Sequence, residues 1–301
     1  MGASSLRRAE TAARILAISF ILGAAIAPTV SFAGPCPKTI AGCGCAIVSR
    51  GRFSVDAPLS QPGAGDCIAI RAGGVELDLA GNSIAGPSQP ALRSNGIHVM
   101  GRARGVTIVG GGATISQFTN GILIEGEGAS VSGFTASGNA VGVVVSGHAG
   151  ELTNFSSSNN SYAGVVLFKT PQSRLSDFTA NQNVFYGVDV LSTNDRLTGF
   201  TADSNGYAGV VIGQVGECGF DVNPPPFSCN RIRTGASGVV GGALDDNGAY
   251  GILLFKSQHN QIVGNSASGN GSDDLYDSIV GCGGNQWFGN SFASANRDCI
   301  D

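Results

Sequence analysis

The chain has 301 residues, with 17 Lys and Arg against 21 Asp and Glu, a net charge of −4 and only 13% charged residues. No basic tract runs through it, which argues against nucleic acid as a partner, because phosphate binding needs clustered Lys and Arg. Glycine numbers 47, so the chain is rich in turns and poor in long polar helical faces.

Taken from the N-terminus, Arg7, Arg8 and Arg14 precede the apolar run ILAISFILGAAIA from Ile15 to Ala27, which Pro28 breaks. Ser31 and Ala33 then offer small residues for a cut. This is the pattern of a secretory signal peptide over residues 1–33, and the run is short for a membrane span. LRRAET lacks the apolar residues that should follow a twin-arginine pair, so ordinary secretion is expected. A secreted or periplasmic chain starting near Gly34, with no stable membrane span after processing, is the expectation. Without Arg7, Arg8, Arg14 and Glu10 it has 14 basic and 20 acidic residues, a net charge of −6.

All eight cysteines follow that segment: Cys36, Cys43, Cys45, Cys67, Cys218, Cys229, Cys282 and Cys299. An even count in an exported chain reads as up to four disulfides. Cys218–Cys229 and Cys282–Cys299 are natural local pairs. The first four allow three connectivities, with Cys43–Cys45 disfavoured by its tight loop, and are expected to cross-link an N-terminal cap over residues 34–66. CGC is not metal-finger spacing, so zinc is not expected.

A repeat follows. Gly96, Gly121, Gly142, Gly164, Gly187, Gly209 and Gly251 open the segments GIHV, GILI, GVVV, GVVL, GVDV, GVVI and GILL, at intervals of 25, 21, 22, 23, 22 and 42. A period near 22 signals a stacked-repeat architecture. The segments are too short and too rich in Val and Ile for helices. The first and third residues after each glycine are always Ile, Val or Leu and should share a buried face. Each repeat reads as one coil of parallel strands laid on the coil before it. Asn160, Asn183, Asn205 and Asn247 stand four residues before their glycines, with Asn270 continuing the series. A short amide at one bend of each coil can bond its own backbone and the amides above and below. Phe118, Phe134, Phe155, Phe178 and Phe200 suggest a second stacked column, replaced further on by Asn265 and Asn290. The 42-residue interval reads as one coil with an inserted loop at 215–230, whose three prolines rule out a central strand. The repeat region spans 67–292, and 293–301 forms a tied-down C-terminal tail that covers the open end.

The glycine–Ile/Val strands, the asparagine column, GVELDLAGNSIAG (74–86) and the ending DDLYD…NQWFGNSF resemble the right-handed parallel β-helix repeat proteins, the broad pectate-lyase-like superfamily. That resemblance implies an all-β, right-handed parallel β-helix of about nine coils with disulfide-tied ends. It also implies an extended glycan as partner, since many members cleave or epimerise acidic polysaccharides on an outer strand face. No Arg-containing pectate-lyase signature is present. GHAG (147–150), STND (192–195), RIR (231–233) and LDD (244–246) resemble polygalacturonase fragments in the wrong order. A resemblance to the β-helix protein that helps assemble the copper site of nitrous oxide reductase implies no direct copper role, because soft ligands are almost absent.

The outward positions of the repeated strand carry the functional expectations. They are His98, Leu123, Val144, Val166, Asp189, Val211 and Leu253 in one row, and Met100, Glu125, Ser146, Phe168, Leu191, Gly213 and Phe255 in the next. Most are apolar, so the stripe is either covered or a binding surface. Asp189, between two valines, is expected to have a raised pKa and to act as acid or base on a sugar, with Lys169, Asp195 and Arg196 beside it. Asp273, Asp274 and Asp277 in GSDDLYD are the calcium candidates. Recognition of an extended polysaccharide, with its processing as a further step, is the first functional reading. The second is a non-catalytic structural or adhesive surface protein that self-associates through the apolar stripe.

Overall fold

The computed structural model describes residues 34–87, 94–169, 171–213 and 235–301. The expected signal peptide, the insertion, the Cys218–Cys229 pair and the RIR segment lie outside the described residues. The chain winds into a parallel solenoid of about ten turns with almost no helix. One wall, the front sheet, has eleven strands, and the other, the back sheet, has sixteen. Every strand pairing is parallel to the coils before and after.

Two-residue alternation builds each wall. In the front sheet Ile68, Ile97, Ile122, Val143, Val165 and Val188 lie in register on successive coils, and all are fully buried. The back sheet answers with Leu77, Ile108, Val131, Leu152, Leu175 and Leu197. Each coil adds one apolar side chain per column at a rise of about 4.8 Å, so the core is continuous along the axis. Val210 pairs directly with Ile252. The 42-residue interval is therefore one coil, as its repeat ends implied.

Phe134, Phe155, Phe178 and Phe200 stack with centroids 5.2, 5.1 and 4.9 Å apart and planes within 6°. Phe118 does not belong to this column. Ala113 pairs with Phe134, after a register shift between Val109 and Ala113, and Phe118 sits at the asparagine corner, its N–H donating to Asn139 Oδ1 at 3.0 Å. The irregular coil displaced the residue count. Beyond Phe200 the column passes to Gly242, whose N–H donates to Asn265 Oδ1, and Asn265 in turn donates to Asn290.

The asparagine column forms as spaced. Asn139, Asn160, Asn183, Asn205 and Asn247 each donate a backbone N–H to the Oδ1 of the next member, at 2.9–3.1 Å. From Asn160 to Asn247 the side-chain amides repeat the link. Three disulfides tie the ends: Cys36–Cys45, Cys43–Cys67 and Cys282–Cys299. Within the expected cap, residues 34–66, the strands pair into both sheets as the first coils. This adds a turn to the nine expected. Among the described residues no helix is long and apolar enough to cross a membrane.

Candidate functional site

Register sets the outward row of the front sheet as Ala69, His98, Leu123, Val144, Val166, Asp189, Val211 and Leu253. From Val144 onward these residues are at most 2% exposed. They form a second apolar cluster outside the solenoid wall, with Tyr162, Phe168, Tyr186 and Leu191. Tyr186, Tyr207, Tyr250 and Tyr276 run beside it in successive ring contacts at 5.0–5.8 Å. The stripe is thus buried within one chain.

Asp189 lies inside this cluster, 1% exposed, and the Tyr162 hydroxyl donates to its Oδ2 at 3.4 Å. The Lys169 ammonium rests over the Phe168 ring at 5.1 Å. Asp195 stands in the turn to the back sheet and caps a corner. Its Oδ1 accepts the Ser173 N–H at 2.9 Å and its Oδ2 accepts the Ser192 hydroxyl. Burial pushes its carboxyl up to about 7, against the lowering effect of those two donors. Arg196 is exposed on the back sheet, in register with Arg174 and Gly238. Sequence proximity placed these four together, whereas the coil distributes them over a face, a corner and the opposite wall.

Two of the three acidic residues near the C-terminus, Asp274 and Asp277, accept hydrogen bonds from asparagine side chains. Asp274 ends the asparagine column: its Oδ1 accepts Asn270 Nδ2 at 2.7 Å, and its Oδ2 accepts the N–H groups of Ala293 and Ser294 at 2.9 Å. Burial would raise its pKa, but these donors outweigh burial and lower it. Asp277 Oδ2 accepts Asn285 Nδ2 at 2.8 Å and Trp287 Nε1 at 3.3 Å. Burial and the neighbouring Asp274 charge raise Asp273. Among the described residues no three His, Cys, Asp or Glu side chains gather to hold a metal ion.

A polar network that sequence reasoning did not assemble lies on the first coils, around His98. His98 Nδ1 is 2.8 Å from Asp66 Oδ2, and its Nε2 is 3.1 Å from Glu125 Oε2. Asn95 donates to Asp66 Oδ1 at 2.6 Å, and Asn120 donates to Asn95 Oδ1 at 2.8 Å. Burial alone would lower the His98 pKa. The hydrogen bonds and charges of Asp66 and Glu125 overcome it and raise the value to about 9. At neutral pH the ring is therefore an imidazolium donating to both acids. Side-chain exposure rises from 7% at Asp66 through 13% at His98 to 37% at Glu125, so the network leads from the interior to a carboxylate at the surface. Both His98 and Glu125 stood in the outward rows. Asp66 was missed because it precedes the first repeat glycine, so no column assigned it.

No family model matches the chain, and no curated protein matches it. Solved structures do. The Dettilon tailspike protein gp208 matches with a TM-score of 0.63 at 15% identity, over 87% of this chain and 59% of that one. The A-module of the Azotobacter vinelandii mannuronan C-5 epimerase AlgE6 gives 0.64 at 17%, over 84% and 66%. The pectate lyase Pel9A gives 0.52 at 16%, over 87% and 70%. The chain spans about three fifths to two thirds of the length of the first two. Identities this low establish the fold, including its hand: the chain is a right-handed parallel β-helix protein of the pectate-lyase-like fold.

Proposed function

We propose that the protein binds an extended polysaccharide across the outer face of the first front-sheet coils, with Glu125 as the contacting carboxylate and Asp66 and His98 as its positioning residues. The hydrogen-bonded path from buried Asp66 through His98 to half-exposed Glu125 carries this reading. A carboxylate fixed through one oxygen offers its remaining lone pairs to sugar hydroxyls in a set direction, which lowers the ordering cost of binding. The shared fold supports the ligand class, since the solved structures of this fold include enzymes named for mannuronan and pectate. Export, implied by residues 1–33 and consistent with three disulfides, would put the chain where such polymers occur. A role for Asp189 in turnover would require the apolar cluster around it to open.

The test is to incubate the oxidised mature protein with acidic and neutral polysaccharides and to follow both affinity and polymer length. Glu125→Gln should weaken binding of the responsive polymer by about tenfold, as loss of a charge-assisted contact implies. Polymer shortening or epimerisation lost in Glu125→Gln and His98→Gln would make the site catalytic, and binding without turnover would make it a recognition site. Unchanged affinity in Glu125→Gln would refute the assignment.

A further inference from the structure

The back sheet carries a trough that the front-sheet reading does not use. In each central coil one residue with positive φ bends the strand: Asn154 (51°), Asp177 (54°), Gly199 (57°), Gly241 (62°) and Gly264 (62°). Only Gly, Asn and Asp adopt this conformation readily. Stacked bends leave an open depression of about 590 Å³, lined by Asp177, Thr179, Gly199, Thr201, Gly241 and Ser266 among others. Glycine stands at three successive bends, so no side chain projects from those positions.

The trough combines the hydroxyls of Thr179, Thr201 and Ser266 with the Phe178 and Phe200 rings. Thr179, Thr201, Ala243 and Ser266 are in register along it, one to a coil. Thr201 Oγ1 and Thr179 Oγ1 lie 3.3 Å apart. The only charged side chain in the lining is Asp177, exposed, with Oδ1 lying 3.2 Å from where a Cβ on Gly199 would stand. Three hydroxyls and one carboxylate offer donors and acceptors to an uncharged sugar, while a uronate would face Asp177 as a like charge. Coils rise by about 4.8 Å, close to the length of one extended hexose residue.

We propose that this trough binds an unbranched, uncharged polysaccharide running parallel to the solenoid axis, one sugar per coil, independently of the Glu125 site. The test titrates the oxidised mature chain with cello-, malto- and manno-hexasaccharides and with oligogalacturonate and oligomannuronate. Thr179→Val with Thr201→Val keeps side-chain shape and removes the hydroxyls. At least one neutral hexasaccharide should bind the wild type, weaken about tenfold or more in the double variant, and bind Glu125→Gln as it binds the wild type. Failure of every neutral hexasaccharide to bind, or equal affinity in the double variant, overturns the trough. Loss in Glu125→Gln with retention in the double variant also overturns it while leaving the front-sheet reading intact. Should the double variant not fold, wild-type amide shifts on titration decide: changes at 177–201 support the trough, and changes confined to the front sheet overturn it. Asp177→Asn, compatible with the bend because Asn154 already occupies that column, should improve binding of the charged oligomers relative to the neutral ones.

Discussion

His98 is held by two acids that stand 32 positions before it and 27 after it. Its folded pKa of about 9 lies above the unfolded value of 6.5. The stability this clamp contributes is therefore fully present below about pH 6.5 and is lost as pH rises through about 9. Asp195 acts with the same sign in a lower pH window. Burial, only partly offset by Ser192 and Ser173, raises it from 3.8 to about 7. Its cost therefore develops between those values and is complete above the upper one. The two windows separate. Chemical denaturation between about pH 7 and 9.5 should show the wild type losing stability more steeply than His98→Gln, and parallel curves would contradict the clamp. The outward direction of His98 and Glu125 was legible from the glycine-anchored alternation. Their joining was not, because it depends on a diagonal contact across coils.

At the scale of the element, the asparagine ladder is a run of side chains doing what a backbone corner cannot do alone. Each Oδ1 accepts the N–H of the coil before it, so the corner donors are satisfied without water. A ladder of donors needs a terminal acceptor, and Asp274 supplies one that also takes the Ala293 and Ser294 N–H groups. Asp274→Ala should leave these donors unpaired at a cost of about 1–3 kcal/mol. Hydrogen exchange should then speed at Asn270, Ala293 and Ser294 while Asn160 and Asn183 keep their protection. Uniform loss along the ladder would show that the column is not anchored at this end. Asn160, Asn183, Asn205 and Asn247 could be read from their spacing before each glycine, and Asn270 as continuing the series. Asn139 lies three residues before Gly142 rather than four, and Asp274 is an aspartate, so neither fitted the pattern.

Across the whole molecule, stability is a sum of coil-on-coil interfaces, and the weakest places are the two open ends. The three described disulfides sit there, closing sequence separations of 9, 24 and 17 residues. Each should contribute about 2–4 kcal/mol by constraining the unfolded chain. Under reducing conditions, exchange should accelerate first in residues 34–70 and 273–301, with Ile122 to Val210 protected until global unfolding. Simultaneous loss everywhere would mean that the coils unfold as one unit. The outer apolar cluster adds a second layer over the front wall from Val144 to Leu253.

The sequence alone determined what repeats locally: parallel coils of about 22 residues, the inward Ile and Val columns, the amide corner and the one-coil reading of the long interval. These follow from alternation and period, which act between neighbours in the chain and on adjacent coils. Tertiary structure alone decided which outward residues meet. A coil converts a separation of some 20–30 residues into a few ångströms, while sending Asp189 and Arg196, seven positions apart, to opposite walls. Burial then set the chemistry, covering Asp189 and leaving Glu125 at the surface.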